Sequence, residues 1–189
     1  MAAIRPSITA RTTGYNAGMI ELQPVLHGPT LTLRPLQPDD FDALHAAASD
    51  PLIWEQNPQP TRYQREVFRK VFDSGIESKG ALVVIDRAAG RIIGTSRYYD
   101  WEPGKGEIAI GYTFIAREYW GGATNFEMKK LMLDHIFRWA HTVWFHIGAD
   151  NWRSRKALEK IGGVLAYCAD RESGGRMLPY TYYRITRPR

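Results

Sequence analysis

Between Ala81 and Ile115 the chain reads ALVVID, RAAG, RIIGTSRYYD, WEPGKG and EIAIGYTFI, three strand-like segments separated by two short turns. Turns that short join only antiparallel neighbours, because a parallel return needs a crossover of a dozen residues or more. An antiparallel meander is therefore predicted, and the rest of the chain must be arranged on that sheet. The segment after it, EYWGGATNFEMKKLMLDHIF, leads through two glycines into apolar residues at Met128, Leu131, Met132, Ile136, Phe137 and Ala140. That spacing predicts a long helix from Thr124 to about His141. VWFHIGA then reads as a buried strand, NWRSRKALEKIGG as a short helix ended by glycines, and VLAYCAD and YTYYRIT as two closing strands.

Upstream, LTLRPL at residues 31–36 reads as a strand, followed by a helix that starts near Asp39 and stops at Pro51. A Pro-rich loop carrying Trp54 separates it from a second helix, whose inner face is Val67, Phe68, Val71 and Phe72. The resulting order predicts an α/β (α+β) fold: a mixed, mostly antiparallel sheet with helices on its faces. With 189 residues, 44% of them hydrophobic, and no repeat or linker, residues 21–189 are expected to form a single domain. Residues 1–20 hold Arg5 and Arg11 and no acid, a composition shared with organelle transit peptides. They lack an amphipathic pattern and read as a flexible extension.

A net charge of +5 favours anionic partners, yet Lys and Arg are spread without a dense run and no nucleic-acid motif is present. No nucleic acid and no membrane partner are expected, because no apolar stretch reaches the ~20 residues that span a bilayer. A soluble, cytoplasmic protein is the expectation. The one cysteine, Cys168, excludes an internal disulfide, lies in an apolar run and is expected to be buried. His27, His45, His135, His141 and His146 show no metal-ligand spacing, so no metal is expected.

The glycines at 121 and 122 fall where the last meander strand hands over to the helix. A turn is the plain reading. A second is an anion seat, since a helix entered through small residues leaves its first N–H groups free. Neither GxGxxG nor a phosphate loop ending in Lys-Ser/Thr occurs, which excludes the usual nicotinamide and ATP sites.

Four stretches, in order, resemble the GNAT N-acetyltransferases, and among them the RimJ/RimL-like branch that acetylates ribosomal-protein N-termini. They are LTLRPLQPDDFDAL, IAIGYTFIAREYWGG, the helix after it, and NWRSRKALEKIGG. The resemblance implies a GNAT acyl-CoA N-acyltransferase fold and an acetyl-CoA site. The loop Trp120, Gly121, Gly122, Ala123, Thr124 and Asn125 would seat the pyrophosphate, although the usual loop is richer in glycine. Ala123 keeps the contact if its φ is negative, since only positive φ demands glycine, and Asn125 adds bulk.

By the same resemblance Asn151 and Ser154 contact the cofactor arm. Helix capping explains both equally well. Arg153, Arg155 and Lys156 are either contacts for the adenosine phosphates or a solvated basic face. Acyl transfer needs a base for the amine, an oxyanion donor and an acid for the thiolate. The resemblance puts the oxyanion donor on the backbone near Phe114 or Ile115. It offers Ser154 as acid, because the tyrosine of many relatives is Leu158 here. Glu107 and Glu172 are the candidate bases, and an α-amine with pKa near 8 can also do without one. Trp54, Tyr99 and Trp101 are expected to line the acceptor groove.

The expected partners are acyl-CoA, an amine-bearing acceptor such as a protein N-terminus, and a second copy of the chain as a homodimer. The alternatives are a small-molecule amine such as a polyamine or antibiotic, a non-catalytic acyl-CoA module, and a basic nucleic-acid binder.

Overall fold

Short turns and alternating apolar residues build the centre of the molecule, and helices close over it from both sides. The computed structural model describes residues 19–173 and 175–188. Most of the predicted N-terminal extension lies outside the described residues; Ile20 packs on the core.

The strands are β1 (Leu26–His27), β2 (Leu31–Pro35), β3 (Ala81–Asp86), β4 (Arg91–Glu102), β5 (Glu107–Ile115), β6 (Thr142–Gly148), β7 (Val164–Ser173) and β8 (Arg176–Thr186). The helices are α1 (Phe41–Ala48), α2 (Arg65–Glu77), α3 (Thr124–Ile136) and α4 (Trp152–Glu159). All the strands form one sheet in the order β1-β2-β3-β4-β5-β6-β8-β7, mixed and mostly antiparallel as predicted. β3, β4 and β5 are the antiparallel meander. Among the described residues only β5 and β6 pair in parallel, joined through the α3 crossover.

Alternation along each strand splits the core in two. Leu82 and Val84 of β3 point to the face covered by α3, with Met128, Met132 and Ile136. Ala81 and Val83 point to the face covered by α1 and α2, with Phe41, Leu44, Phe68 and Phe72. Trp54 joins this second cluster, its indole donating to Ala48 O at 2.7 Å.

Two expectations are corrected. α3 ends at Ile136 and not near His141: from there Arg138 and Trp139 donate three residues back, to His135 O and Ile136 O, and the chain tightens before β6. Cys168 is exposed. It lies on β7, which pairs with β8 alone and carries Val164, Leu165 and Tyr167 in exposed positions, so an apolar run at a sheet edge is not a buried one.

Glu127, in the first turn of α3, fastens this helix to the sheet. Its carboxylate accepts from Thr30 N at 2.8 Å, Thr30 Oγ1 at 2.6 Å and Leu31 N at 2.9 Å. Burial opposes its ionisation, but the bonds from Thr30 and Leu31 outweigh it and hold the carboxyl below the usual range. Glu127→Gln is expected to lose about 1–2 kcal/mol at pH 7, with the site half exposed. A carboxyl with a lowered folded pKa stabilises above the ordinary carboxylate range and loses that contribution as pH falls. The difference between parent and variant in urea denaturation should therefore vanish toward pH 3.

Candidate acyl-transfer site

The sheet opens at the carboxyl end of β5. Parallel pairing with β6 covers only Glu107↔Thr142, Ile108↔Val143 and Ala109↔Trp144, and then the strands part. On its other edge β5 bulges, with Gly111 opposite Arg97 and Phe114 opposite Thr95, so one residue of β4 faces two of β5. Tyr112 takes φ +52 at the bulge, a left-handed conformation costly for an aromatic residue. The Arg97 guanidinium over its ring at 4.0 Å and the edge of Tyr99 at 5.3 Å hold it there.

Beyond the bulge, Ala116 N–H donates to Ile93 O across to β4. Alternation then turns the Ile115 N–H toward the open side, where no β6 partner exists. Phe114 and Ile115 are buried on opposite faces of the strand.

The loop that follows is open in the way an anion needs. Trp120 is pinned by its indole to Ile115 O at 2.9 Å. Gly121 adopts φ +76, and a side chain built at Gly121 or Gly122 would meet nothing within 4 Å. The first turn of α3 has no side-chain cap, and its first backbone bond is Glu127 N to Ala123 O at 2.9 Å. Thr124, Asn125 and Phe126 N–H groups thus have no carbonyl behind them, at the positive end of the helix dipole. Ala123 has φ −79, so the side chain that replaces a glycine costs no strain.

Asn151 caps α4, its Oδ1 accepting from Ser154 N at 3.1 Å, and Ser154 is half-buried one turn inside. Leu158 is core. Two of the three basic residues of α4 are used inside the fold. Arg153 bonds Glu55 and Ile53 O and lies 4.1 Å over the Trp120 ring, tying the α1–α2 loop to the glycine loop. Arg155 donates to Ala149 O and Tyr183 Oη. Lys156 is exposed.

The other predicted site residues are dispersed. Glu107 starts β5 and accepts from the Trp144 indole at 3.0 Å, roughly 16 Å along the strand from Tyr112. Glu172 is exposed near the end of β7, where it accepts from Gly175 N at 2.7 Å. Tyr99 stands beside the bulge, its hydroxyl 3.0 Å from His146 Nδ1, and burial pushes its pKa up. Burial, and Arg171 bonding the same nitrogen, push the pKa of His146 down to about 4. Trp54 is buried on the α1/α2 face, whereas Trp101 packs with the α3 cluster. Among the described residues no cluster of three or more His, Cys, Asp or Glu could hold a metal, and no helix is long and apolar enough to cross a membrane.

Lys129 is a further polar group beneath the site, and no motif marks it. Its side chain is buried under the bulge, donating to Thr113 Oγ1 at 2.7 Å and Ser96 Oγ at 3.1 Å, with the Phe145 ring at 5.7 Å. A lysine inside a helix reads as solvated; the available signal is its place on the Met128, Met132, Ile136 stripe. Burial pushes its pKa down to about 7.

An unfolded lysine near 10.5 binds a proton that the folded one has released above about 7, so stability should rise with pH across that interval. Lys129→Met should remove the rise and add on the order of 1–3 kcal/mol at pH 6, read by urea denaturation between pH 6 and 9.5.

Residues 30–164 match the sequence profile of the acetyltransferase (GNAT) domain. No curated protein matches the sequence. Similar solved structures include a protein from Chromobacterium violaceum described as a GNAT-family acetyltransferase. It is 18% identical, with 98% of this chain and 97% of that one covered, at a TM-score of 0.80. Mycobacterium smegmatis RimJ in complex with CoA-disulfide is also 18% identical, with 89% and 90% covered and a TM-score of 0.69. Spermidine N-acetyltransferase from Vibrio cholerae, in complex with CoA and spermine, is 20% identical, with 84% and 96% covered and a TM-score of 0.65. At these identities the structures establish the fold.

Proposed function

The chain belongs to the GNAT acetyltransferase family, and from that premise we propose that it transfers acetyl from acetyl-CoA to the α-amine of a protein N-terminus, by direct attack with both substrates bound. The observation that carries this reading is two sets of backbone N–H groups with no hydrogen-bond partner among the described residues, at the two ends of the segment that runs from β5 into α3. Ile115 N–H lies at the parted strand edge, and those of Thr124, Asn125 and Phe126 at the start of α3.

The helix start and its open glycines fit the pyrophosphate of a CoA, bound as at any uncapped helix N-terminus. When bound, acetyl-CoA supplies the acetyl group as an activated thioester. The chain's own groups do the rest. Ile115 N–H donates to the acyl oxygen as negative charge develops on it. The Ser154 hydroxyl, held one turn into α4 by the Asn151 cap, gives a proton to the departing sulfur. Glu107 starts β5 five residues before Tyr112, and Glu172 is exposed and bonded to Gly175 N; deprotonation in this reading falls to solvent acting on an amine already partly neutral near pH 8.

An N-terminal α-amine suits the RimJ/RimL-like motifs of the sequence. The face of the sheet opposite α3 supports it against a polyamine: Arg62, Arg97 and Arg171 surround Tyr112 there and would repel a polycation.

The cofactor seat is tested by a pair of variants at the α3 cap. Ala123→Asp and Ala123→Asn both supply a good cap, but only Asp places a negative charge against the pyrophosphate. Acetyl-CoA affinity by calorimetry should fall at least about tenfold in Ala123→Asp and stay within about threefold in Ala123→Asn. Equal losses would show that shape, not charge, governs the loop. For the acid, Ser154→Ala should slow acetyl-CoA-dependent thiol release by about 10²-fold with little change in acetyl-CoA affinity. An unchanged rate would remove Ser154 from the mechanism.

A further inference from the structure

On the face of the sheet opposite α3, a small cavity lies between the α1/α2 layer and the bulge, lined by Arg62, Arg97, Trp54, Phe68 and Tyr112. Arg97, on β4, is 5% exposed. Its guanidinium donates to Ser74 Oγ at 3.1 Å and to Val71 O at 3.3 Å, and its Nε is buried with no hydrogen-bond partner. Arg62, in the loop before α2, donates from Nε to Gln59 Oε1 at 3.0 Å and stands 5.8 Å from the Trp54 ring.

Every one of these partners is neutral. Among the described residues neither guanidinium forms an ion pair, although other arginines of the chain do. Burial lowers the pKa of both, and Arg97 lowers that of Arg62 further. Two like charges drawn into one aromatic-walled cavity without a counter-ion are costly to the free protein. Such a cost is offset when a bound anion supplies the missing charge, and the planar guanidinium fork suits a carboxylate.

We propose that this cavity is a subsite for a carboxylate of the acceptor, carried a few bonds from the amine that is acetylated. The proposal rests on the acetyl-transfer reading of the same site and narrows its substrate to acidic amines. Tyr112 links the two places: its ring is a wall of the cavity and lies under Arg97, and its backbone forms the bulge where β5 parts from β6. A carboxylate against the arginines leaves its own amine at the crevice. A peptide that begins with Asp or Glu carries this chemistry, and so does a free acidic amino acid.

The experiment uses the full chain with two C-terminally amidated peptides that differ only in beginning with Asp or Asn, and with free aspartate. Binding is followed by calorimetry in the presence of CoA, and turnover by thiol release from acetyl-CoA. The Asp peptide should bind at least about tenfold more tightly than the Asn peptide and react with a correspondingly higher kcat/KM. In Arg62→Gln that ratio should collapse toward one, and in Arg62→Lys, which keeps the charge but not the fork, it should fall only part of the way.

Equal binding and equal turnover of the two peptides would overturn the subsite while acetyl transfer stands. Selective binding of the Asp peptide with no thiol release would keep the subsite and overturn the acetyl-transfer reading. A preference for free aspartate over the Asp peptide keeps the carboxylate site and removes the protein N-terminus as its source. The Arg62 variants carry the test because Arg62 lies in a loop, whereas Arg97 also holds α2 to the sheet and its loss could unfold the chain.

Discussion

Among the described residues, β5 and β6 join the two halves of the sheet through three residue pairs, Glu107 to Ala109 against Thr142 to Trp144. The shape of the candidate site follows from that junction being so short. Parallel strands joined through a helix would ordinarily zip along their full length. Here the bulge at Tyr112 re-aims β5 after Ala109, and the two strands diverge toward their carboxyl ends. The divergence leaves a strand edge of β5 at Ile115 without a β6 partner. The chain leaving β5 then turns through Trp120 and the two glycines straight into α3.

The bulge is braced by basic side chains from both faces. Below it Lys129 reaches Thr113 and Ser96, and above it Arg97 covers the Tyr112 ring. Among the described residues neither is paired with a carboxylate. Burying two basic groups in this way is poor for stability wherever they are charged, since apolar residues of like volume would cost less desolvation. It does make the crevice electropositive, adding to the dipole of α3, so that negative charge at this point of the molecule is favoured from several directions.

Much of the scaffold was legible in the sequence, because it depends on local rules. Turns of a few residues dictated the β3-β4-β5 meander, and the Phe68 and Phe72 spacing placed α2 against the sheet. The glycine loop was found through its position between a strand and an amphipathic helix. What escaped were features set by distant partners. Nothing local in DHIFRWAH announces that α3 stops at Ile136, a boundary decided where the chain must turn to pair β6 with β5. Cys168 looked buried because its neighbours are apolar, and it is exposed because β7 is an edge. Glu107 lay on the predicted strand, but only the pairing register shows that it belongs to the closed end of the crevice and not the open one.

The sequence by itself determined the elements, their order, the class of the sheet and the open helix start, since periodicity, turn length and small residues act over a few positions. The tertiary structure alone decided which basic side chains lose their water. Lys129, Arg62 and Arg97 are ordinary basic residues in their local contexts, lying in a helix, a polar loop and a strand. Their electrostatics arise when α2, α3 and the bulged strand close around them and remove water, and that desolvation comes from chain segments tens of residues away.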